Sequence, residues 1–378
     1  MNVVHLFPYS ARKLGGHTNA ICSFIACQRA KQINAVGIAP KPDPGAAETN
    51  WEFPLVEVEA IPNLRWADLA EQFGIAPGNS LLHFHSVTRR YAPLLADLRR
   101  AGVPYVLTSH GQLTFQNAWR WLSKFVYLHC VNRSPLNAAG LHLLTRFAAQ
   151  RVGFLLPAYR GLKLIQGNLV AVPNLAELPA VSRSDYAIPP EAFVLLYLGR
   201  LDVWVKGLDF LVEAFSCLPA PRCHLVLVGP DWQAGKASLV QMANQLGCGA
   251  RVHFIEPVYG LKKWSLLRLA DAFVSPSRWE AFSIAQAEAM AIGLPVVTST
   301  QVNLASDLRE ADAALLTPLA VEPLAKAMAT LEADGERRHA LGNRGRAWAE
   351  LNCGADRAGA RFLEFYQAIL EQAHGAGD

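Results

Sequence analysis

Short apolar runs separated by stretches long enough for a helix recur along this chain, and the series is run twice. Residues 3–7, 35–39, 80–84, 104–108, 141–144 and 169–172 form the first series; residues 193–198, 225–228, 252–255, 272–275, 295–298 and 314–317 form the second. Helix-periodic segments such as 18–31, 89–100 and 117–131 lie between runs of the first series. Antiparallel strands can be joined by a two-residue turn, whereas parallel strands need a crossover of about a dozen residues or more. The spacing therefore predicts parallel sheets built from βαβ units. A chain of 378 residues exceeds what one hydrophobic core usually holds, about 250–300 residues, so two domains are expected. The Pro-, Ser- and Ala-rich stretch 172–190 reads as the crossing between them. That divides the chain into 1–175 and 176–354, followed by a last helical pattern over 355–372. The expected fold class is α/β: two doubly wound, Rossmann-like domains facing across a cleft, with ligand at the carboxyl ends of the strands.

An apolar content of 52% with only 17% charged residues excludes a disordered chain. No apolar run reaches the roughly 18 residues that span a bilayer, and the first residues read as a strand rather than a secretory signal. Seven cysteines without a CxxC pair read as reduced thiols of a cytoplasmic protein. The net charge of +4 is unevenly distributed: residues 1–175 hold 17 Lys and Arg against 8 Asp and Glu, and the remainder holds 18 against 23. Between residues 98 and 176 there are nine basic residues and no acid. Such a field favours an anionic partner. Nucleic acid is not expected as that partner, because no recognisable nucleic-acid module accompanies the charge.

The most informative string is 275–299, SPSRWEAFSIAQAEAMAIGLPVVTS. It reads as a turn, a helix and a buried strand, with Glu280 just before the helix and Glu288 within it. Eight residues of helix separate two carboxylates by roughly 12 Å. That is too far for an acid and base pair sharing one water, but it suits two acceptors gripping different parts of one long polar ligand. On spacing alone the same glutamates could be solvated surface charges. Phe282, Ser283 and Ile284 open the helix, where unpaired amides favour an anion. Upstream, the run 193–198 ends in Gly199-Arg200-Leu201, and Lys206-Gly207 opens the next helix. Arg200 and Lys206 can neutralise a diphosphate there, or form an ordinary exposed loop pair. Gly15-Gly16 follow the first run and let backbone approach a ligand closely, although paired glycines are also common in loops. His110, within Ser109-His110-Gly111, follows a buried run and can point into the cleft or serve structurally. His83 and His85 share a strand face without an acid or Cys to complete a metal site; structural or acceptor-side roles are expected, and no metal. Trp119, Arg120, Trp121, Lys124, Phe125 and Tyr127 make one helix both aromatic and basic, which suits either a core or a membrane interface.

Taken together, Ser275–Ser299 and Gly199–Gly207 resemble the signatures of the family 4 retaining glycosyltransferases (group 1 glycosyl transferases), which have the GT-B fold. The resemblance extends to His110, Gly15-Gly16 and the linker Val172-Pro173-Asn174, where Leu175 replaces the usual Gly. It implies that Arg200 and Lys206 hold the donor diphosphate, Glu280 and His110 contact the donor sugar, and Glu288 binds ribose hydroxyls. Gly15 and Gly16 would lie against donor phosphates and acceptor, and the segment ending at Val258 would cup the base, with Glu256 where Gly is usual. The terminal helix would cross back to the first domain. No cofactor and no metal are implied; the nucleotide-sugar is a substrate. Arg200, Lys206 and the helix end 282–284 would stabilise the leaving diphosphate, and the acceptor hydroxyl would attack from the face it leaves, giving up its proton to a phosphate oxygen. The acceptor would be a glycan, a lipid-linked or a small-molecule hydroxyl, some of them anionic, in polysaccharide or glycolipid assembly. An anionic membrane surface at the cytoplasmic face would suit the basic half. A sugar phosphorylase or a UDP-sugar 2-epimerase shares the domain plan and stays open, as does a non-catalytic sugar-nucleotide or glycan binder.

Overall fold

The computed structural model describes residues 1–10, 16–42, 53–59, 61–114, 118–219 and 221–375. The chain forms two compact units, one of residues 1–169 with 354–378 and one of residues 170–353. In the first, seven parallel strands run in the order β3-β2-β1-β4-β5-β6-β7. These are β1 Asn2–Leu6, β2 Asn34–Pro40, β3 Leu55–Val58, β4 Ser80–Phe84, β5 Tyr105–Thr108, β6 Gly140–Leu143 and β7 Leu162–Ile165. The second holds six parallel strands in the order β10-β9-β8-β11-β12-β13. They are β8 Phe193–Leu198, β9 Cys223–Val228, β10 Val252–Ile255, β11 Ala272–Ser275, β12 Val296–Ser299 and β13 Leu315–Thr317. Each sheet starts in its middle, winds outward, then returns to the other side of its first strand. The winding thus reverses between β1 and β4 and again between β8 and β11, and such a reversal opens a crevice at the carboxyl ends of the two strands. Their near-continuous burial is what a parallel sheet covered on both faces requires.

Three expected elements differ. Residues 169–172 are not a strand: Leu169 and Val170 are buried, and the Val170 amide bonds to the Cys353 carbonyl. The edge strand is instead β7, whose burial is only partial. Mixed burial with an exposed Lys163 in β7, and half-burial throughout β3, made both weaker apolar signals than a fully buried strand. The expected helix over 89–100 starts as a 3₁₀ turn, Arg89–Tyr91, before Ala92–Arg100. That over 117–131 is described from Ala118 to Val126 and then widens into a π-helical turn, Tyr127–Val131.

The last helix, Ala355–Gly375, lies in the first unit and buries Phe362, Phe365, Tyr366 and Ile369. Gly140 on β6 makes room for it: a Cβ there would lie 2.6 Å from Phe365 and from Ile369. At Gly359 the helix approaches Gly16–Ala30 so closely that a Cβ would meet the Cys27 carbonyl at 2.8 Å. All seven cysteines are free. Among the described residues no helix is long and apolar enough to cross a membrane.

Candidate functional site

In the second unit the loops after β8 and β11 converge. The Asp202 side chain accepts from the Val205 amide and caps the single turn Val203–Lys206. The Lys206 ammonium donates to the Glu280 carboxylate, and both side chains are largely buried, at 18% and 16% exposure. Gly207 adopts φ 66°; a Cβ there would sit 2.1 Å from the Pro276 carbonyl oxygen. Only glycine lets the two loops approach so closely in that conformation. Arg278 latches them: its guanidinium donates to both Asp209 carboxylate oxygens at 2.7 and 2.5 Å and to the Trp204 carbonyl at 2.7 Å. Arg200 is more open. Its Cζ lies 4.3 Å from the Trp232 ring centroid, and Nη2 donates to Asp202 at 3.3 Å.

Beyond Glu280, Phe282 is buried and Ser283 caps the helix Ile284–Ala291, accepting from the Gln286 amide at 3.3 Å. Glu288 lies inside that helix and receives a hydrogen bond from the Lys263 ammonium at 2.5 Å. Burial pushes the Glu288 carboxyl up from its ordinary value, and Lys263 pulls it back. Neither glutamate is a solvated surface charge. Val258 is half-buried after β10, and the departure at Glu256 is an exposed ion pair with Lys236 at 2.7 Å. Gln286 Nε2 is buried without a partner among the described residues. Sequence reasoning missed Lys263, Arg278, Trp232 and Gln286. A lysine one helix upstream and an arginine inside 275–299 are ordinary surface residues until the fold gives them partners.

In the first unit, His110 follows β5 with φ 44°, a conformation uncommon outside glycine. Gly111 follows at φ 92°. His17 lies against it, ring centroids 4.0 Å apart. Gly16 is the first residue of the helix Gly16–Ala30; Gly15, like Arg12, Lys13 and Leu14, lies outside the described residues. His83 and His85 are fully buried beside His5. One ring nitrogen from each of the three lies within 4.8 Å of the others, a spacing a metal could use. Both nitrogens of each ring, however, already carry hydrogen bonds to protein. An ion would have to displace them, and no carboxylate belongs to the cluster, so these residues fit a hydrogen-bond network better than a metal centre.

Arg200, Lys206, Glu280, Phe282, Ser283, Ile284, Glu288 and Val258 thus belong to one unit, and Gly16 and His110 to the other. The description "Glycosyl transferases group 1" matches residues 180–348. A D-inositol 3-phosphate glycosyltransferase of Xylanimonas cellulosilytica is 32% identical over 198 residues, 52% of this chain and 47% of that protein. The chain spans about half the length of the curated relatives it matches. The sucrose-phosphate synthase of Thermosynechococcus elongatus superposes with TM-score 0.78 at 19% identity over 98% of this chain and all of that one. Anabaena HepE, in complex with UDP-glucose, does so with TM-score 0.71 at 19% identity over 99% of this chain and 100% of that one. At such identities the structural likeness shows the fold, which is that of the GT-B glycosyltransferases. Residues 180–348, which carry Arg200, Lys206, Glu280 and Glu288, thus resemble the group 1 glycosyl transferases.

Proposed function

We propose that this protein is a retaining glycosyltransferase of the family 4 type, moving a sugar from a nucleoside diphosphate sugar to a hydroxyl acceptor. The observation that carries the reading is the Lys206–Glu280 pair just ahead of the capped helix Ile284–Ala291, with Arg200 earlier in the loop that carries Lys206 and Glu288 buried about one turn into the helix. Cations beside a helix N-terminus stabilise a departing diphosphate where its charge develops. Lys206 is paired with Glu280 until a phosphate competes for its ammonium. Glu288 accepts from ribose hydroxyls, with Lys263 keeping the carboxyl charged. Val258 lies against the base, while Gly15, Gly16 and His110 meet the phosphates and the sugar. The acceptor hydroxyl attacks from the face the diphosphate leaves and passes its proton to a phosphate oxygen. No metal enters this scheme. Uridine is the first base to test, since Anabaena HepE is seen with UDP and UDP-glucose.

The acceptor belongs to polysaccharide or lipid-linked glycan assembly at an anionic cytoplasmic membrane face. Support comes from the helix over 118–131. Trp121, Phe125 and Leu128 pack on the core, whereas Leu122, Val126, Tyr127 and Val131 are exposed within the acid-free segment.

Thermal shift with a panel of nucleoside diphosphates and their sugars, without added metal, tests the donor site. Stabilisation by one nucleotide series, lost in Lys206→Ala and Glu288→Ala, supports the reading and names the base. A folded wild type that responds to no nucleotide overturns it.

A further inference from the structure

A row of buried polar groups crosses the first sheet beneath the last helix. It can be followed from one end, because the Gln166 carbonyl can only accept a hydrogen bond. His142 Nε2 must donate to it, at 2.8 Å. A neutral imidazole has one donor and one acceptor nitrogen, so His142 Nδ1 accepts from the Thr108 hydroxyl at 2.8 Å. The Thr108 oxygen then accepts from His83 Nε2 at 2.6 Å, and His83 Nδ1 accepts from the Tyr366 hydroxyl at 2.7 Å. Tyr366 accepts in turn from Gln28 Nε2 at 3.0 Å, which orients the amide so that Oε1 accepts from His5 Nε2 at 2.9 Å. His5 Nδ1 accepts from His85 Nε2 at 2.9 Å, and His85 Nδ1 accepts from His110 Nε2 at 3.2 Å. Eight hydrogen bonds thus point one way. The five rings are neutral near pH 7: burial lowers His5 and His142 to about 4 and holds His83, His85 and His110 well below the ordinary range.

We infer that this one-way chain holds His110 as a single tautomer, Nε2 protonated and Nδ1 bare, and that Thr108 and Tyr366 are positioning residues for it. Reversing the chain would require the Gln166 carbonyl to donate, which it cannot. The amide of Gln28 does not pass protons as a hydroxyl or imidazole does, so the row fixes polarity rather than conducting. The consequence rests on the donor-sugar reading of His110. A bare Nδ1 accepts from a sugar hydroxyl and repels a carbonyl or phosphate oxygen, making His110 a selector for hydroxyls.

The test is nitrogen-15 NMR of the histidine-labelled full chain near neutral pH, without substrate, with His110 assigned by His110→Asn. Wild type is expected to show His110, His85 and His5 each with a protonated Nε2 and an unprotonated Nδ1. Thr108→Val strands the His83 Nε2–H, and Tyr366→Phe frees the Gln28 amide to turn. In either variant the His110 signals should move toward the opposite tautomer. A protonated Nδ1 on wild-type His110, or unchanged His110 signals in both variants with native-like spectra, overturns the inference. This measurement needs no ligand, so it stands apart from the transferase reading. A second arm compares UDP-glucose with UDP in Thr108→Val. An affinity loss of about 3–10-fold for the sugar nucleotide alone is expected for one misdirected hydrogen bond. Equal affinities for wild type and variant overturn the selector role.

Discussion

Lys206 and Glu280 form a largely buried ion pair, so any phosphate approaching Lys206 competes with a carboxylate already there. Glu280→Gln removes the competitor while keeping a polar group of the same shape. UDP should then bind as tightly as in wild type or up to about tenfold tighter by calorimetry, while sugar transfer, on the proposed role of Glu280 at the donor sugar, falls about 100-fold. Weaker UDP binding by the variant would mean that Glu280 supports the nucleotide rather than opposing it. Beside this pair, Gly207 cannot take a side chain without moving the Pro276 carbonyl. Gly207→Ala is expected to lose about 3 kcal/mol in denaturant unfolding and to lose donor binding with it. An alanine variant of wild-type stability would show that the loop relaxes freely.

At the scale of elements, helices Gly260–Leu269 and Ile284–Ala291 are joined by the Lys263–Glu288 pair, whose side chains are 19% and 10% exposed. Removing one partner strands a buried charge. Lys263→Met should cost about 3–5 kcal/mol, and the double change Lys263→Met with Glu288→Leu should recover most of it. Additive losses in that cycle would rule the coupling out. The helix over 118–131 offers a second test. Co-flotation with phosphatidylglycerol vesicles should exceed that with phosphatidylcholine, and Leu122→Ser with Val126→Ser should lower it about tenfold; equal flotation with both lipids would remove the membrane from the scheme. The strands that position the candidate residues were legible because a parallel strand buried on both faces is a bare apolar run, as in β8 and β11. Glu280, Glu288, Arg200 and Lys206 were legible because their strings resemble a known signature. Lys263 and the row from Gln166 to His110 were not, since their partners lie tens to hundreds of residues away and isolated His, Thr and Gln carry no periodicity. β7 was missed because half-exposed residues weaken the one signal available.

Across the whole molecule, the candidate residues of each unit lie at a reversal of strand order: Arg200 and Glu280 follow the strands flanking one, and His5 and His85, which lead to His110, mark the other. Their responses to acid should differ. His5, His17 and His142 are lowered to about 4, and His83, His85 and His110 are held well below the ordinary histidine range, mainly by burial. Unfolded histidine binds protons below about pH 6.5, so the unfolded first unit binds more protons than the folded one. Stability is therefore full above about pH 6.5 and falls toward about pH 4, by up to about 1.4 kcal/mol per pH unit for each such ring. Hydrogen exchange followed from about pH 7 down to about pH 5 should show the first unit loosening well before the second. Simultaneous loosening would show that the rings are protonated without cost. The terminal helix adds a consequence for biosynthesis. Its Tyr366 and Phe362 cover the sheet whose first strand is Asn2–Leu6, so residues 1–169 cannot close until the later-translated helix Ala355–Gly375 emerges. Residues 170–353 hold their own sheet and can fold on the ribosome while the earlier unit waits with its histidine row uncovered. A nascent chain stalled after Cys353 should therefore resist protease in its second unit and yield in its first.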